Sequence, residues 1–268
     1  MTSSIWPFLK RDLQNEISYR LSFYLRLFGI FPTLFLFFFL SRLFSGFISS
    51  PLTPYGGGYF PFVLIGVALQ SYMTLALGGF ASGLREAQLS GTLESIFAAP
   101  VEPLQFLAGS AAYNFVFNSL RIFLYFAAGV VLFGVHFELV QGPLAVLTIV
   151  LTIGAFSVLG IGSAGFIILF KRGDPVNYAV QVFSALLGGV YFPISILPDW
   201  VQKISAFIPM THSLEALRLS LLKGEGLAST GGSLLALAIW TALGLPLSYG
   251  FFRWALHRAR ERGTLGHY

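Results

Sequence analysis

The chain has 268 residues, of which 56% are hydrophobic and 10% charged, with a mean hydropathy of +0.78. An average soluble domain carries about 25% charged residues, so 16 Lys and Arg with 11 Asp and Glu cannot cover a soluble surface of this size. A cytosolic globular enzyme and a disordered chain are excluded, and the absence of Cys excludes a disulfide-stapled secreted domain, which leaves a polytopic membrane protein.

No cleavable signal precedes the first long apolar run, which begins after Arg20. Between Ser4 and Arg20, the residues Ile5, Leu9, Leu13 and Ile17 recur every fourth position, with Lys10, Arg11, Asp12 and Glu16 between them. This pattern suits a helix lying in the headgroup layer. A soluble helix packed on the bundle is the alternative. Six apolar runs of bilayer length follow, at about 23–44, 59–80, 107–133, 144–170, 177–196 and 233–252. The expected fold is an all-α, single-domain membrane protein. It has six transmembrane helices, an N-terminal interfacial helix, a short helix between the second and third spans, and two more between the fifth and sixth.

Basic residues set the expected orientation. With the N-terminus inside, eleven face the cytoplasm: Lys10, Arg11, Arg20, Arg26, Arg85, Lys171, Arg172, Arg253, Arg258, Arg260 and Arg262. Only Arg42, Lys203, Arg218 and Lys223 lie outside, and Arg121 lies within the membrane. Both termini are therefore expected in the cytoplasm of a cell, plasma or inner, membrane. The net charge of +5 is spent on this asymmetry, and no nucleic-acid partner is expected.

The segment from Ser82 to Pro100 is charged and connects the second and third spans. Ser90 can cap a short helix with Glu94 near its positive end, and Leu93, Ile96 and Phe97 share a face. Pro100 disfavours helix at the residue before it. Such a helix suits the groove of a partner, and a tight connecting loop fits equally well. In the segment from Tyr191 to Gly224, Pro198 and Asp199 suit the start of a helix bearing Trp200, Ile204 and Phe207. Pro209 breaks it, and a second helix carries Leu214, Leu217 and Leu221 before Gly224. Neither stretch is continuous enough to span.

These two segments resemble the signatures of ABC transporter permeases of the type-2 exporter class. The first matches at Arg85, Glu86, Gly91, Thr92, Leu93, Glu94, Ile96 and Pro100. The second matches at Leu197-Pro198, then ten residues on at Pro209-Met210-Thr211-His212, and at Arg218. Ser184 departs from the pattern, where a large apolar residue is expected. The resemblance implies a coupling helix over 91–99 on which an ATPase subunit pushes. Its contact residues would be Arg85, Glu86, Gly91, Thr92, Leu93, Glu94 and Pro100. It implies an external gate that includes Phe192, Pro193, Leu197, Pro198, Pro209, His212 and Arg218. It also implies two permease copies with two ATPase copies, exporting an amphiphilic, lipid-linked or polysaccharide substrate or a hydrophobic drug. The chain has no phosphate-cradling Gly-x4-Gly-Lys-Ser/Thr loop. ATP and Mg are thus expected on the partner, with no catalytic residue and no cofactor here.

Arg121 stands within an apolar stretch from Tyr113 to Phe133. A mid-span charge costs about 2.5–3.5 kcal/mol on insertion scales. Either it meets an anionic group on the pathway or in an ion pair, or it snorkels to the cytoplasmic interface. Asn114 and Asn118 share its face. His212 and Glu215 have a metal-like spacing but no third ligand, so no metal is expected. Ser184/Gly188, Ala185/Gly189 and Gly160/Ala164 are small pairs that allow close helix contact, within one chain or between two. The alternative function is a stand-alone secondary transporter or channel. It would need intramembrane acids, which the spans nearly lack. A membrane-embedded transferase would need clustered His or Asp at an interface, and no such cluster is present.

Overall fold

The computed structural model describes residues 20–44, 49–89, 91, 103–170 and 174–262. Regular structure among the described residues is entirely helical. In chain order the helices are α1 (Arg20–Phe28), α2 (Ile30–Phe44), α3 (Ser49–Leu52), α4 (Tyr59–Leu89), α5 (Pro103–Phe133), α6 (Gly142–Phe170), α7 (Asp174–Leu187), α8 (Asp199–Ser205), α9 (Pro209–Lys223) and α10 (Leu227–Glu261). Short 3-10 turns sit at Thr53–Tyr55, Leu139–Gln141 and Ile194–Ile196. The expected interfacial helix lies outside the described residues except for Arg20, which opens α1.

Four helical stretches are long and apolar enough to cross a bilayer: Tyr59–Arg85, Gln105–Phe133, Leu139–Phe170 and Leu227–Glu261. The expected first and fifth spans correspond to shorter apolar helices. The first is broken at Gly29. Pro32 has no N–H to give the Phe28 carbonyl, so the helical ladder lapses there. The fifth stops at Leu187 rather than continuing to Ile196. Its 14 residues reach about 21 Å, short of the roughly 30 Å hydrocarbon core. Two other elements outrun their expected ends. α4 continues past Phe80 to Leu89, so Arg85 and Glu86 lie on a helix rather than in a connection. α10 carries Arg253, Arg258 and Arg260 on its last turns rather than in a tail.

α4 is the central helix and is largely buried, whereas most of α10 faces outward from the bundle. It packs antiparallel on α5 and also against α6, and α6 makes its most extensive contact with α10. That seam is close because glycines line it. A Cβ on Gly154 would sit 2.5 Å from Thr241 Cγ2, and one on Gly244 would sit 2.7 Å from Val158 Cγ2. The apolar core falls into three linked clusters along the bundle. Phe80, Phe106, Ile167 and Phe252 pack toward the Pro103 end. Leu69, Met73, Phe156, Met210 and Leu214 fill the middle. Ile30, Leu34, Phe60, Val63 and Tyr125 pack toward the Phe133 end.

Candidate functional site

α7, α8 and α9 form an excursion of three short helices between α6 and α10, and local chemistry explains each turn. At the end of α7, Gly189 adopts a left-handed conformation with φ +80°, and the Val190 N–H bonds the Ala185 carbonyl at 3.2 Å. This is a Schellman C-cap, and glycine makes it free of Cβ strain. Pro198 then caps α8, whose first residue Asp199 suits the positive helix end. Pro209 occupies the first turn of α9, where its missing N–H costs nothing. Two side chains pin the α8–α9 corner. Thr211 Oγ1 donates to the Ser205 carbonyl at 2.8 Å, and His212 Nε2 bonds the Ala206 carbonyl at 2.8 Å. The latter contact makes Nε2 the protonated ring nitrogen. Gly224 ends α9 in a left-handed conformation.

The excursion is fastened to the bundle at Arg218, which is 3% exposed. Its Nε and Nη2 donate to the Phe62 carbonyl at 3.2 and 3.1 Å. Nη1 donates to the Gly189 carbonyl at 2.9 Å, and Nη2 also reaches the Val190 carbonyl at 3.1 Å. The guanidinium carbon lies 3.4 Å from the Phe62 ring centroid and 5.9 Å from that of Tyr55. A buried charge is tolerated only when its donors are used. Here carbonyls beyond the negative end of α7 and two aromatic faces meet it. Burial foremost, and Glu215 next, raise the Tyr55 phenol above its ordinary range despite the opposing Arg218 charge, so Tyr55 remains neutral beside it. Gly66 makes the junction possible, because a Cβ there would lie 2.2 Å from the Val190 carbonyl oxygen. Arg218 therefore ties together α4, the turn after α7 and α9.

The remaining expected gate residues fall on this excursion. Phe192 is half-buried and Pro193 buried. The Leu197 carbonyl accepts Gln202 Nε2 at 2.8 Å. Trp200, Ile204 and Phe207 are exposed. Toward the opposite end of the bundle, Arg85 is exposed on the last turns of α4, and Gly91 follows with φ +68°. Glu86 lies in α4, and its side chain is outside what is described. Thr92, Leu93, Glu94 and Pro100 lie outside the described residues.

Arg121 is half-buried on α5, and its Nε is buried with no hydrogen-bond partner. Asn118 is 1% exposed, and neither amide atom has a partner. Asn114 packs against Gly79. His212 and Glu215 diverge, since Glu215 Oε2 accepts the Ser233 hydroxyl at 3.3 Å. The small residues at the end of the fifth span and in the fourth have neighbours within the chain. Gly188 packs against Met210, and both Gly188 and Gly189 lie beyond the end of α7 at Leu187. Gly160 packs against Phe80. The sequence reading missed Phe62, Gly66, Gly189 and Val190 as members of the junction. The Gly188-Gly189 pair was the available signal, because adjacent glycines mark a helix end as well as a helix contact.

A family model described as ABC-2 type transporter matches residues 4–222. The inner membrane transport permease YadH of Escherichia coli strain K12 is 27% identical over 164 residues, covering 61% of this chain and 63% of that protein. The protein of the same name from Shigella flexneri matches over the same extent. The match thus spans less than two thirds of the length of these relatives.

Proposed function

Because the chain belongs to the ABC-2 type transporter family, we propose that it is the membrane-spanning permease subunit of an ATP-driven exporter. Its substrate is an amphiphilic, lipid-linked or polysaccharide molecule leaving the cytoplasm or inner leaflet. The observation that carries this reading is the run of three short helices α7–α9, fastened to the central helix at one buried arginine. Its corner is held by its own hydrogen bonds. A unit built this way moves as a body rather than unravelling.

In this reading the chain crosses the membrane six times with both termini in the cytoplasm, α2 and α7 serving as the short crossings. The Lys223 end faces outward, and the turn after α7 together with α8 and α9 forms the external gate. Residues 91–99 form the coupling helix, gripped by a separate ABC-type ATPase. Two permease copies enclose the pathway, and ATP binding closes the ATPase pair and tilts the long helices through that contact. α4 makes the transmission direct, because Arg85 near one end and the Arg218 junction near the other lie on or against the same continuous helix. ATP and Mg belong to the partner, and the permease makes and breaks no covalent bond.

The test is Glu94→Ala, assayed with the ATPase present. The expected result is reduced ATP-driven transport with normal membrane insertion. Unchanged transport would remove the coupling assignment. Transport driven by an ion gradient without any ATPase would favour a stand-alone secondary transporter instead.

A further inference from the structure

An apolar groove of about 440 Å³ runs between α1–α2 and α5. Its walls include Phe28, Phe31, Leu124, Ala128 and Val131. The space exists for two local reasons. Ala127 and Ala128 leave α5 without bulk at this level, and the break at Gly29 interrupts the helix that faces it. Its volume falls within the about 300–1,000 Å³ of ligand pockets. From Leu124 to Leu132 it follows α5 for about 12 Å.

Arg121 stands one helical turn before the α5 wall begins at Leu124. It precedes Leu124 by three positions and Ala128 by seven, which places all three on one face of α5. The apolar stretch from Tyr113 to Phe133 matches the hydrocarbon thickness, and Arg121 lies about 12 Å from its nearer edge. Its Nε is buried and unbonded, and no carboxylate pairs with it among the described residues. A half-buried cation with an unbonded Nε, one helical turn from an apolar groove, is complementary to one kind of molecule: an anionic head joined to a long alkyl or acyl chain.

We propose that the α1–α2/α5 groove with Arg121 binds a single-chain anionic amphiphile, head at Arg121 and chain along Leu124–Leu132. Under the permease reading, on which this rests, it names the substrate class. The chain would lie across the bilayer midplane, as a molecule in passage between leaflets must.

The experiment uses the purified full-length chain in nanodiscs of zwitterionic phosphatidylcholine, without ATPase. The probes are a photoreactive hexadecyl phosphate and the matching hexadecyl trimethylammonium, with crosslinked peptides mapped by mass spectrometry. The expected result is labelling of residues 124–132 by the phosphate probe, stronger than by the ammonium probe by about tenfold. Arg121→Gln should remove that preference, and Ala128→Trp should remove labelling by both probes. Equal labelling by the two heads, or a preference that survives Arg121→Gln, overturns the proposal. So does a crosslink from Phe28 to a second copy, which would make the groove a subunit contact. If Arg121→Gln does not fold, the two-head comparison on the native chain decides alone. The binding assay needs no ATPase, so it is independent of the transport assay made with the ATPase present: intact binding without ATP-driven transport would count against the permease reading. Lost binding with intact transport would count against this inference.

Discussion

Arg218 donates to the carbonyl of Phe62 through both Nε and Nη2 while its guanidinium lies 3.4 Å from the ring of the same residue. One side chain on α9 thus holds a single α4 residue by its backbone and its ring together. The remaining donors reach Gly189 and Val190, so the contact also fixes where α7 stops. Removing it should loosen the turn after α7 and its seat on α4. Arg218→Ala is expected to destabilise the protein by about 2–4 kcal/mol, because three buried carbonyls lose donors and a large side chain leaves a void. Arg218→Lys should recover part of this, since an ammonium keeps the charge but lacks the planar fork. Thermal unfolding in detergent reads both, and an Arg218→Ala variant as stable as the native protein would refute the anchoring role.

Gly66 is the steric counterpart of that anchor. A methyl group there would approach the Val190 carbonyl oxygen to 2.2 Å. Gly66→Ala should therefore push the turn after α7 off α4, at a cost of about 1–3 kcal/mol. Protease cleavage within residues 191–198 should accelerate in this variant. Cleavage at the native rate would mean that the turn is not seated as described.

Much of this excursion was readable in advance. Pro198, Pro209 and Gly224 mark helix ends by chemistry local to each residue, and α8 and α9 begin and end beside them. The end of α7 was misplaced because apolar residues continue through Val190, Phe192, Ile194 and Ile196. Hydropathy measures the solvent a residue prefers and is silent on backbone direction, so a buried turn reads as span. The partners of Arg218 were also beyond reach. Backbone carbonyls carry no sequence signature, and Phe62 lies 156 residues away. The break at Gly29 was half-legible, since Pro32 stands in the sequence within the first span but its missing N–H acts one turn earlier.

Thr152 on α6 donates to Ser213 Oγ at 2.8 Å, both side chains buried. This pair joins the excursion to the long helices independently of Arg218. A double-mutant cycle with Thr152→Val and Ser213→Ala should give a coupling of roughly 0.5–1.5 kcal/mol, as interhelical hydroxyl pairs in membranes do. A coupling of zero would show that the two hydroxyls act separately.

Because the chain has no Cys, single introduced thiols report topology without background. Ser195 and Arg260 are both exposed and belong to opposite sides in the six-crossing reading. In intact cells a membrane-impermeant maleimide should label Ser195→Cys and leave Arg260→Cys unlabelled until the cells are lysed. The reverse pattern would invert the proposed orientation.

The central claim is that this chain is moved by a separate ATPase. The most direct measurement is mass spectrometry of the tagged chain, affinity-purified from the membranes of the cell that makes it. The account predicts an ATPase carrying a phosphate-binding Gly-x4-Gly-Lys-Ser/Thr loop, in equal molar amount with the permease. A chain that purifies alone yet still transports its substrate would contradict it.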